Sequence, residues 1–112
     1  MEYDGDVMRA MAAVAAGLCG VHLATFFGTE GIGGTARQAR AFFFYSYRNL
    51  THASYDAISE QAQRIGLSTT LDGVRKAVER MSVLVRTERW WMRRYAEMQR
   101  IIDLITDKDT EQ

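Results

Sequence analysis

The sequence predicts an all-α protein: a long antiparallel helical hairpin with an N-terminal Ala/Gly-rich helix laid against it, three helices in all, or four if the middle one is interrupted. Three observations carry this. The chain contains no proline, so nothing forces a helix to break. Apolar residues recur at three- and four-residue steps over most of its length, the period of one helix face. Glycine- and threonine-containing interruptions fall at residues 28–35 and 66–70, which divides the chain into helices over about 6–27, 35–65 and 70–106. At 112 residues these make a single domain, 1–112, large enough to own a core.

The first helix can be capped by Asp4 or Asp6. Residues 10–27 then run for eighteen positions without a formal charge. Val7, Met11, Val14, Leu18 and Val21 share one face, and Ala10, Ala13, Gly17, Gly20 and Ala24 share another. A helix apolar on nearly all sides is buried in protein or in lipid. Ala13, Gly17, Gly20 and Ala24 form a small-residue surface suited to close helix packing. Eighteen uncharged residues just reach bilayer-spanning length, and Arg37, Arg40 and Arg48 follow on one side. A single transmembrane helix over residues 7–27 is therefore a second expectation, although six alanines make it a weak anchor. His22, beside Leu18 and Thr25, is expected to be a packed, hydrogen-bonded histidine.

Residues 28–35 read GTEGIGGT. The spacing Gly28, four residues, Gly33, Gly34, Thr35 is similar to the phosphate-binding loop of P-loop NTPases, but Gly34 stands where that family has lysine. The segment is read instead as an interhelix turn, with Gly28 as a left-handed cap and Thr35 capping the next helix.

The middle helix carries Phe42, Phe43, Phe44 and Tyr45. Consecutive helical residues point around the whole circumference, so one or two of these rings are expected to face outward, onto a partner. Asn49–Thr51 can interrupt this helix. Arg48 and His52 lie one turn apart in YRNLTHASYD, which resembles the Arg–His motif of HEPN-type ribonucleases with one residue fewer in the spacer. The resemblance implies RNA cleavage by this pair. Residues 58–81 resemble a helix-turn-helix DNA-binding segment, with Gly66 in the turn and Arg75, Lys76 and Arg80 toward DNA. Leu71 follows Gly66 by five positions where the family pattern has six.

The third helix is read as a single rod of about ten turns, roughly 55 Å long at 1.5 Å per residue. Thr69 and Thr70 offer caps, and Asp72 suits the first turn. Leu71, Val74, Val78, Met81, Leu84, Val85, Trp91, Met92, Tyr95, Met98, Ile102 and Ile105 form its stripe. Glu88 interrupts that stripe and is expected to reach the seam edge or pair with an arginine from a neighbour, with a buried functional acid as the alternative. The first helix, about 33 Å long, is too short to cover both others. Trp90, Trp91 and Tyr95 are therefore expected, with the 42–45 aromatics, to meet a partner.

Fourteen basic and fourteen acidic residues balance to a net charge of zero, which disfavours nucleic acid as a partner. Cys19 is the single cysteine, so disulfide scaffolds and metal fingers are excluded. No metal or cofactor is expected. Glu2, Asp4 and Asp6 precede the apolar run, unlike a secretory signal, and an intracellular location is expected, cytoplasmic or at an inner membrane. The function expected is a non-catalytic structural or interaction subunit, assembling as a homo-oligomer or with other protein subunits. A helix-turn-helix regulator is the alternative and a HEPN-like ribonuclease the third.

Overall fold

The computed structural model describes residues 5–28 and 34–110, with side chains described to residue 105. Among these residues the chain has no strand and forms six helices: α1 (Gly5–Leu18), α2 (Leu23–Phe27), α3 (Gly34–Thr51), α4 (Tyr55–Arg64), α5 (Leu71–Thr87) and α6 (Arg89–Thr110). All-α is correct. The count of three or four is not, because each expected rod is broken once.

Local chemistry explains each break. The first falls at Gly20, which takes φ +70°. Val21 N–H bonds to Ala16 O and Gly20 N–H to Gly17 O, a Schellman closure that needs glycine at the left-handed position. Gly28, expected in that conformation, instead has φ −73°. The apolar N-terminal run is therefore a 14-residue and a 5-residue helix. Among the described residues no helix is long and apolar enough to cross a membrane, which overturns the transmembrane expectation for residues 7–27.

The second and third breaks share a device. Thr51 donates its hydroxyl to Tyr47 O at 2.6 Å, and Thr87 donates to Val83 O at 2.8 Å. Each is the last residue of its helix. Such back-bonding weakens the ladder where the chain leaves it. After Thr87, Glu88 is extended (φ −114°, ψ 122°). After Thr51, His52 adopts φ +60°, a conformation costing a non-glycine residue about 1–2 kcal/mol. Arg48 holds this joint closed, donating to Ala53 O at 2.6 Å with its guanidinium 4.0 Å from the Tyr55 ring centroid. Ser54 then caps α4 by accepting from Ala57 N–H. His52→Gly is expected to raise stability by about 1 kcal/mol by removing the left-handed penalty, read as a higher urea midpoint at unchanged slope. An unchanged or lower midpoint would show that the His52 side chain contributes at the joint.

The turn between α4 and α5 repeats the first device, with Gly66 at φ +105° and Leu67 N–H closing onto Ala62 O. Thr70 caps α5 by accepting from Gly73 N–H at 3.0 Å, as the sequence indicates.

The organising element is α3, which packs against all five other helices. Phe42 meets Trp91 of α6 at 5.6 Å between centroids. Phe43 meets Phe26 of α2 at 5.9 Å, and Tyr45 meets Tyr95 of α6 at 5.2 Å. Because neighbours surround most of its circumference, Phe42, Phe43 and Phe44 are all buried. The expectation that such a run must show rings to a partner fails for these three; Tyr45 is half-buried. The radius of gyration is 13.3 Å, near the ~13 Å of a compact chain of this length. The longest dimension is 44 Å, too short for the 55 Å rod expected of residues 70–106.

α1 docks on α3, α4 and α6 through Met8, Met11, Ala12, Ala15 and Ala16. The alanines permit close approach and the methionines fill the remaining gaps. Ala13, Gly17, Gly20 and Ala24 are exposed.

Candidate functional site

The feature least explained by the fold of one chain is the outer side of α6. Its inner stripe, Trp91 and Met98 with half-buried Tyr95 and Ile102, closes the core. Met98 is the last fully buried residue among the described side chains, yet the helix runs twelve residues further, to Thr110. Leu104 and Ile105 on that extension are 62% and 44% exposed, and Trp90 at its start is 44% exposed. Trp90, Ile101, Leu104 and Ile105 fall on one flank of a 3.6-residue helix. The sequence-expected residues thus divide: Trp91 is buried against Phe42, Tyr95 is half-buried against Tyr45, and Trp90 faces out.

The two candidates for buried polar residues, His22 and Glu88, are both exposed. His22 is exposed at the N-cap of α2 and makes no side-chain capping bond. Glu88 is exposed because the helix breaks at that residue and turns its side chain off the stripe. Arg48 donates to Ala53 O at the α3–α4 joint, and His52 is exposed beside it. Arg75 and Lys76 both pair with Asp72, at 2.8 and 3.0 Å. Those hydrogen bonds hold the Asp72 carboxyl below its ordinary range.

Cys19 borders a hollow of about 340 Å³ with Glu88, Trp90 and Trp91. Burial pushes its thiol up to about 11, against an opposing pull from Arg94. It is protonated at neutral pH and a poor nucleophile. Arg94 donates to Leu18 O at 3.2 Å, satisfying a carbonyl at the end of α1, and stacks 4.4 Å from the Trp90 centroid. No group of three or more His, Cys, Asp or Glu side chains gathers at a metal-binding distance among the described residues.

Sequence reasoning missed one juxtaposition. Arg37 and Arg40 of α3 and Lys76 and Arg80 of α5 line the same cavity, of about 360 Å³. The two pairs are some forty positions apart in the chain, and only the α3–α5 packing unites them. No local signal in the sequence could have announced it.

Compared with known protein families, with characterised proteins and with solved structures, the chain matches none.

Proposed function

We propose that this protein is a non-catalytic assembly subunit that pairs with a second copy of itself through antiparallel contact between the two α6 helices. The carrying observation is the apolar flank of α6, which continues past buried Met98 with Leu104 and Ile105 open to solvent. Apolar residues at helical spacing beyond a chain's own core are stabilised by burial against another chain.

The charge order along α6 selects the occupant. Its first twelve residues hold Arg89, Arg93, Arg94 and Arg100 against Glu97, and its last ten hold Asp103, Asp107 and Asp109 against Lys108. This order opposes the helix dipole at both ends. A second α6 laid antiparallel sets the basic half of each copy beside the acidic half of the other and relieves both ends together. Such a twofold contact is self-complementary and closes at a dimer.

Multi-angle light scattering on the purified chain tests this. The expected mass is about 25 kDa, twice the 12.7 kDa of one chain. A single-chain mass at protein concentrations of about 100 µM would overturn the proposal.

A further inference from the structure

We propose that the cleft between α3 and α5 binds a small phosphorylated ligand through Arg37, Lys76 and Arg80. This site is independent of the α6 contact. Four cationic side chains line the cavity, and none of the described residues lining it is acidic. The chain as a whole has a net charge of zero, so this gathering is not a by-product of general basicity. Like charges brought together from two helices repel unless an anion lies between them.

The surrounding pairings sharpen the point. Arg9, Arg64 and Arg75 each have a carboxylate at 3.2 Å or less. Arg37 and Arg80 have no ion pair among the described residues, and both are exposed. They also line a second hollow together with Gly34 and Thr35, at the start of the 18-residue α3. The unsatisfied N–H groups of a helix's first turn add positive potential there.

Arg40 has a different role. Its Nε donates to Phe26 O at 2.6 Å and its second nitrogen to Gly28 O, so it ties the end of α2 to α3 and fixes the cleft wall. Lys76 is steadied by Asp72 at 3.0 Å. Arginine forks match phosphate oxygens two at a time, and two arginines beside a lysine already paired with Asp72 exceed what one carboxylate would neutralise. The ligand class is therefore a phosphate ester or diphosphate. The cavity, about 360 Å³, is at the small end of the range for organic ligands, roughly 300–1,000 Å³. Ala41, Phe44, Leu67 and Ala77 contribute apolar wall for the organic part.

The test is a titration of the full chain with inorganic pyrophosphate, followed by amide NMR and calorimetry. Saturable shifts at Arg37, Gly73, Lys76 and Ala77 are expected. The double variant Arg37→Gln/Arg80→Gln is expected to weaken binding by at least about tenfold, two charge-assisted contacts being lost. Both side chains are exposed, so the variant keeps its fold, checked by circular dichroism. Arg9→Gln/Arg64→Gln removes the same charge elsewhere and is expected to bind as the parent does. Absence of saturable shifts, equal loss in both double variants, or no loss in either overturns the proposal. Phosphatidylglycerol vesicles and a DNA duplex are run beside pyrophosphate. Vesicle binding that pyrophosphate competes away and Arg37→Gln/Arg80→Gln abolishes supports the site and assigns its phosphate to a lipid headgroup. Duplex binding without a pyrophosphate response overturns it.

Discussion

Phe43→Ala is expected to destabilise the protein by about 3–5 kcal/mol, the cost of deleting a phenyl group from a site that cannot collapse. Phe43 is fully buried, and its ring has aromatic neighbours at 5.9 Å (Phe26), 5.3 Å (Phe44) and 6.1 Å (Tyr47). Phe26 belongs to a five-residue helix, too short to hold itself without tertiary contact. Removing the ring therefore releases α2 as well as opening a cavity. Domains of this size have only about 5–15 kcal/mol of net stability. The midpoint of thermal unfolding should fall by roughly 12–20 °C. Trp90→Ala removes a larger ring from a half-exposed position and should cost far less, about 1 kcal/mol or below. Thermal unfolding followed by circular dichroism checks both. A Phe43→Ala midpoint within about 5 °C of the parent would mean that α3 is not the centre of the core.

The same residue shows what was legible in the sequence. The helical class followed from apolar spacing and the absence of proline, and the Thr70 cap was readable because its chemistry is local. Which rings lie inside was not. Residues 42–45 point around a helix, and whether that is a core or a surface depends on how many neighbours surround the helix. Periodicity does not report that number, and α3 has five. The breaks were hidden for a related reason. Glu88 was visible as a polar residue in an apolar stripe, but an acid at a seam and an acid at a joint look alike by spacing. The hydroxyl of Thr87 bonding back to Val83 O separates the two, and that bond is seen only in three dimensions. Of the candidate site, the apolar residues of α6 were readable, whereas the meeting of Arg37 with Arg80 was not, since it depends on which faces of α3 and α5 pack.

Leu104→Glu/Ile105→Glu is expected to abolish self-association while leaving each chain folded. Both side chains are largely exposed in the single chain, so glutamate there meets water and the monomer loses little. In an antiparallel pair the substitution enters twice. Four apolar side chains taken from half-exposed to buried contribute roughly 1 kcal/mol each. Losing most of that raises Kd by about a hundredfold or more. The added carboxylates fall in the acidic half of α6, which an antiparallel partner meets with its basic half, so they bring no charge repulsion across the contact. The loss is therefore expected to come from the apolar contact, and raising salt should not restore it. Light scattering gives the mass and far-ultraviolet circular dichroism the helix content. A dimer that survives the double substitution would remove α6 as the contact. Helix content that falls with the mass would instead place Leu104 and Ile105 in the chain's own folding.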